Sequence, residues 1–143
     1  MSIKIFYDET NFRLKGWRKV KKLIQEVIAK ELKISDDLNF IITNDKNLRK
    51  INIQFLEHDY NTDVITFNYN NGSVINGEIY ISLETVKKNG NNYNVSLNNE
   101  LLRVLIHGVL HLVGYDDKTE EQKIIIHEME DLWLERFEKM NSE

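Results

Sequence analysis

Near the start of the chain Ile3, Ile5 and Tyr7 alternate with Lys4 and Phe6, and this period of two over a short stretch predicts a strand. The period then lengthens. From Leu14 to Leu32 the apolar positions Trp17, Val20, Leu23, Ile24, Val27, Ile28 and Leu32 recur at steps of three and four, which gathers them on one face of a long helix. Leu38 to Thr43 reads as a second strand. Asp45 is placed to cap a helix carrying Leu48, Ile51, Ile53, Phe55 and Leu56; the polar segment 57–62 then interrupts before a third strand, the β-branched and aromatic run Val64 to Phe67. Asn70, Asn71 and Gly72 supply turn chemistry. A fourth strand after Gly77, where Ile79 and Ile81 alternate with Tyr80 and Ser82, can therefore pair with the third as a hairpin.

Residues 89–94 read as a loop or frayed helix end. Leu97 to Val113 is apolar nearly all round, the pattern of a helix buried in a core, and Gly114 fits the position just past its end. A last helix, from about Thr119 to Met140, shows a stripe of Ile125, Ile126, Met129, Leu132, Trp133 and Phe137. Strands separated by helices point to an α+β fold, a small mixed four-stranded sheet packed with helices and richer in helix than in strand. With neither linker nor internal repeat, residues 1–143 are read as one domain.

Composition narrows the chemistry. Hydrophobic residues make up 41% and charged residues 29%, a globular balance. No secretory signal and no apolar run of membrane length is present, so no membrane partner is expected and the location is read as cytoplasmic. The chain has no cysteine, which removes disulfides and thiolate ligands; a bound metal must use nitrogen and oxygen. The net charge of −4 argues against coating nucleic acid by bulk electrostatics. Its distribution is uneven: eight Lys and Arg against two Glu between Arg13 and Lys33, and ten acids against four bases from Asp116 to Glu143. One surface could be basic, although solvated faces of amphipathic helices are the plainer account of both runs.

His107 and His111 stand four apart on the central helix, so their imidazoles project from one face within reach of a single ion. Asp117 follows six residues later, after Gly114 lets the chain turn. Two nitrogens from a helix and a third ligand returned by a turn can fill three corners of a tetrahedron and leave the fourth open for water, as catalytic sites do. Spacing alone also allows two core histidines hydrogen-bonded within the fold, but burying two imidazoles is costly unless both find partners. Gly108 occupies the place of a metalloprotease's Glu, which disfavours a peptidase. Spacing thus supports a metal-assisted hydrolase and no more.

The segment HGVLHLVGYDD (107–117) resembles the signature of the YbeY family of bacterial endoribonucleases, His-Gly-x-Leu-His-Leu-x-Gly-Tyr-Asp-His, matching eight of its nine fixed positions. INIQFLEHDYNTDVITF (51–67) is similar to the family's Leu-Asn-x-x-Tyr-Arg-x-Lys-Asp-x-Pro-Thr-Asp-Val-Leu-Ser-Phe, and GEIYIS (77–82) to its Gly-Asp-Ile-x-Ile-Ser strand. Asp117 stands where the family has its third histidine, Leu56 where it has an arginine linked to RNA processing, His58 for its lysine and Asn61 for its proline. Two histidines and a carboxylate suit catalytic zinc, and also iron(II) or another divalent transition metal. Asp116 is the rival third ligand, but it fills the family's own Asp position, so Asp117 is preferred.

The resemblance implies a metal-dependent, zinc-type endoribonuclease acting on single-stranded RNA, with roles in maturation of small-subunit ribosomal RNA and in ribosome quality control. Its partners would be ribosomal RNA and the small ribosomal subunit, with no DNA expected. Two alternatives remain open: a ribosome-assembly factor with a structural or weakly active metal site, and a metal hydrolase on a non-RNA substrate. Arg103, one helical turn before His107, could donate to a substrate phosphate or pair with an acid of the last helix. Asp63 and Ser82 match family positions that turn capping and strand packing explain, His58 reads as a solvated loop residue, and His127 reads as surface.

Overall fold

The computed structural model describes residues 2–56 and 63–142. Its elements run β1 (Ser2–Tyr7), α1 (Trp17–Lys30), β2 (Ile34–Thr43), α2 (Asp45–Leu56), β3 (Val64–Asn68), β4 (Val74–Ser82), α3 (Leu83–Asn92), α4 (Leu97–Leu112) and α5 (Glu120–Ser142). The strands form one mixed sheet in the order β1-β2-β4-β3. β1 and β4 lie parallel to β2, and β3 returns antiparallel to β4, pairing Val64 with Ile81 and Asn68 with Gly77, the expected hairpin. His58 and Asn61 lie outside the described residues.

The core is the apolar side of this sheet, with Leu38, Phe40, Ile42, Ile79 and Ile81 fully buried against α1 and α4. α4 earns its central place by being apolar nearly all round, with ten buried residues. It sits close to β4 because two glycines allow it. A Cβ at Gly77 would stand 3.2 Å from the Leu112 methyls and 2.8 Å from the Phe67 carbonyl oxygen, and one at Gly108 would stand 2.9 Å from Ile79 Cδ1.

Four details depart from the sequence reading. α1 ends at Lys30, and Leu32 turns out to solvent with φ of 59° and 89% exposure instead of joining the apolar face. Asn44, not Asp45, caps α2 by accepting from the Asn47 amide at 2.9 Å, and Ile53, Phe55 and Leu56 on that helix are exposed. A helix that the sequence reading did not draw, α3, forms over Leu83–Asn92, so residues 89–94 are a helix end rather than a loop, the second of the two readings given above; Ser82 caps the helix by accepting from the Thr85 amide. On α5 the buried stripe is Ile126, Glu130, Trp133, Phe137 and Met140, while Ile125 and Leu132 are about half exposed. No helix is long and apolar enough to cross a membrane among the described residues.

Candidate metal centre

The end of α4 is shaped by its last turn. Gly114 adopts φ of 117°, its N–H bonds the His111 carbonyl at 3.1 Å, and the Tyr115 N–H bonds the Leu110 carbonyl at 2.9 Å. This paired closure with glycine in the left-handed position satisfies carbonyls that the helix leaves open and reverses the chain. Two side chains hold the reversal in place: Tyr115 donates its hydroxyl to Glu31 at 2.8 Å, and Asn70 from the β3–β4 turn donates to the Leu112 carbonyl at 2.8 Å. Thr119 and Gln122 then bond each other's backbone amides at 3.1 and 3.0 Å, a reciprocal cap that starts α5 back along α4.

The reversal brings Asp117 to the two histidines. His107 Nε2 and His111 Nε2 are 3.0 Å apart, and Asp117 Oδ2 lies 3.5 Å from the first and 3.3 Å from the second. Around an ion held tetrahedrally by bonds of about 2.0–2.1 Å, neighbouring donors stand about 3.3 Å apart. The three separations bracket that value, so these atoms suit a single ion. Asp116 is exposed and outside the group. All three side chains line an open cleft of about 580 Å³, together with Asp63, Val64, Thr66, Asn68 and Leu112. β3 is the facing wall. Asp63, read from sequence as a turn residue, therefore belongs to the cleft as well.

Behind the cleft a smaller cavity of about 130 Å³ shares Asp63 and His107 with it and adds Glu100, Arg103, Val104 and Glu130. Arg103 does not stand alone here: Nη1 donates to Glu130 at 3.0 Å and Nη2 to Asp131 at 2.5 Å, the pairing with acids of the last helix. The Arg103 hydrogen bond holds the Asp131 carboxyl below its usual range. Glu130 Oε2 is 2.6 Å from His107 Nδ1. Burial on its own would lower the His107 pKa, but the hydrogen bond and charge of Glu130, with Asp117 and Asp63 nearby, raise it overall. His127 is exposed, as its polar helix face suggested. The basic residues Arg18, Lys19 and Lys22 lie on the exposed side of α1 and do not line the cleft.

Glu130 is the site residue the sequence reading missed. A signal existed: Ile126, Glu130, Trp133 and Phe137 follow steps of four, three and four, which puts a carboxylate inside an apolar stripe.

A family model described as Endoribonuclease YbeY matches residues 5–138. The chain is 40% identical over 126 residues to the Endoribonuclease YbeY of Christiangramia forsetii, covering 88% of each protein. It is 47% identical over 113 residues to that of Chlorobaculum parvum, covering 79% of this chain and 80% of the relative. A Thermotoga maritima protein solved in solution has the same fold, with a TM-score of 0.68 and 29% identity over 99% of this chain and 93% of that one.

Proposed function

The chain belongs to the endoribonuclease YbeY family, and from that premise we propose that it is a single-domain, metal-dependent nuclease that cuts single-stranded RNA, with His107, His111 and Asp117 as the ligands of one divalent ion. The observation that carries this reading is the triangle of two imidazole nitrogens and one carboxylate oxygen, 3.0, 3.3 and 3.5 Å on its sides, at the floor of an open cleft. With no cysteine available, two nitrogens and one oxygen are a donor set for zinc, with iron(II) as the rival.

When bound there, such an ion supplies Lewis acidity toward a phosphoryl oxygen and makes water acidic near neutral pH. The chain's own residues do the rest. His107 and His111 bind through Nε2, and the wall of Val64, Thr66 and Asn68 confines the substrate strand opposite them. Asp117 and Asp63 make the floor acidic, so a phosphodiester enters only once a cation balances them. Arg103 lines the cavity behind the cleft and is committed to Glu130 and Asp131, whose charge balances its own, so its part is to hold these acids rather than to meet a phosphate in the cleft.

For the substrate we propose what the resemblance implies: ribosomal RNA of the small subunit, processed in the cytoplasm, with a part in ribosome quality control. One departure favours a second reading, an assembly factor with a weakly active centre, because Leu56 stands where the family carries an arginine. Purified protein is to be tested on single-stranded RNA, duplex RNA, single-stranded DNA and peptides, with chelator and with zinc restored. Cleavage confined to single-stranded RNA, lost with chelator and regained with zinc, supports the proposal. Hydrolysis of the peptide or DNA with RNA left intact overturns it, and tight binding to small ribosomal subunits without cleavage favours the assembly factor.

A further inference from the structure

His107 faces the cleft with one ring nitrogen and the body of the protein with the other. The inner atom, Nδ1, is 2.6 Å from Glu130 Oε2, and Glu130 is only 5% exposed. A carboxylate so buried is costly unless its charge is met and its lone pairs are filled. Both conditions hold. Arg103 Nη1 donates to Oε1 at 3.0 Å, and Asp131 grips the same guanidinium through Nη2 at 2.5 Å. Arg103 lies one turn before His107, so α4 carries the ligand and the counter-charge of its partner on one face.

A neutral imidazole has one N–H and one lone pair, whereas a carboxylate only accepts. The Glu130 contact therefore puts the proton on Nδ1 and the lone pair on Nε2, the atom 3.5 Å from Asp117 Oδ2. His111 Nε2, 3.0 Å away, can then donate to His107 until a cation takes the place of its proton. We propose that Glu130 is the positioning residue of the metal centre: it keeps His107 in the Nδ1–H form with Nε2 turned to the ion, while Arg103 and Asp131 hold Glu130 in place. The inference rests on His107 being a ligand. A purely structural tie between α4 and α5 would involve the same contacts and set the same tautomer, but it would leave metal affinity unmoved in any variant that still folds.

The first readout needs no metal. Two-bond nitrogen–proton correlations of the metal-free protein, at a pH where the ring is neutral, report which nitrogen of His107 carries the proton. The wild type should show Nδ1–H, and Glu130→Ala should shift His107 toward Nε2–H. The second readout is zinc affinity by competition with a chelator, for wild type, Glu130→Gln and Arg103→Met, each checked for native helix content. Glu130→Gln keeps the shape and can still accept from Nδ1, so it should fold; without the charge it should bind zinc roughly 10- to 100-fold more weakly at unchanged stoichiometry. Arg103→Met should weaken binding in the same direction. Should Glu130→Ala fail to fold, Glu130→Gln and the wild-type tautomer decide. An Nε2–H form in the wild type, or wild-type zinc affinity in folded Glu130→Gln, overturns the proposal. If the wild type binds no zinc yet shows the Glu130-dependent tautomer, the ligand reading fails while the positioning contact stands.

Discussion

Adding one methyl group at Gly108 tests how tightly the seating of α4 on β4 is coupled to the metal centre. A Cβ there would lie 2.9 Å from Ile79 Cδ1, 3.1 Å from Cγ2 and 3.5 Å from Cγ1. Carbon atoms are best placed at about 3.5–4.0 Å, so the methyl demands roughly 0.5 Å of retreat. Ile79 is fully buried and its Cγ2 is attached to a stiff branched carbon, so part of that retreat must come from the helix. Overpacking of this kind costs about 1–3 kcal/mol. Alanine in place of glycine inside a helix returns about 0.5–1 kcal/mol. Gly108→Ala should therefore lose about 1–2 kcal/mol, or about 3–6 °C in Tm for a chain of this size. Because Gly108 lies between His107 and His111, moving the helix should also weaken zinc binding. Ile79→Val removes Cδ1, and alone costs about 0.5–1.5 kcal/mol. In the Gly108→Ala background it makes room, so the double variant should be about 1 kcal/mol more stable than the sum of the singles and recover part of the affinity. Urea unfolding of the four metal-free proteins, followed by chelator competition, measures both quantities. Strict additivity, or Gly108→Ala with wild-type stability and affinity, would refute the reasoning.

Three further outcomes follow from particular residues. Asp117→Ala should weaken metal binding by more than the roughly 100-fold upper range of residues that act through a ligand, while Asp117→His keeps it and Asp116→Ala changes little; loss in Asp116→Ala with binding intact in Asp117→Ala would move the third ligand one residue earlier. Leu32 is held at φ of 59° while 89% exposed, a conformation costing a non-glycine residue roughly 1–2 kcal/mol, against about 0.5–1 kcal/mol for glycine's greater freedom in the unfolded chain, so Leu32→Gly should raise Tm by about 2 °C, and an unchanged or lower Tm contradicts this. Burial raises the Glu100 carboxyl pKa, Arg103 pulls it down, and Asp63 and Glu130 push it up, with a net rise. A folded pKa above the unfolded one gives stability that is complete below the unfolded pKa and is lost as pH rises through the folded value. Glu100→Gln should thus have the higher Tm at neutral pH, with the gap closing on acidification through the ordinary Glu range; a gap that widens instead would show the sign to be wrong.

The candidate ligand group was legible because its geometry is local. A four-residue step fixes two imidazoles on one helical face, and a glycine after the helix marks where the chain can return a third donor. Glu130 was not legible in the same way, because it acts across two helices and sits among ten acids between Asp116 and Glu143. The apolar residues of α5 surround the helix, so a stripe drawn through Ile125 and Leu132 looks as good as the one that is buried. α3 was hidden by composition: Asn and Gly over residues 89–92 are poor helix formers, and the helix exists because Ser82 caps it and Val86 is buried. The exposed Ile53, Phe55 and Leu56 show the converse, an apolar pattern on α2 that the described fold leaves uncovered.

The most direct test of the metal centre is the metal content per chain of zinc-loaded, desalted wild type, His107→Ala and His111→Ala, read beside cleavage of one single-stranded RNA by the same samples. Apart from Glu100 the buried residues of α4 are apolar or glycine, so both variants should keep most of their helix content. The account predicts one equivalent of metal and RNA cleavage in the wild type, with both lost together in each variant. A full equivalent retained by both folded variants, or undiminished cleavage after the metal is gone, would contradict it.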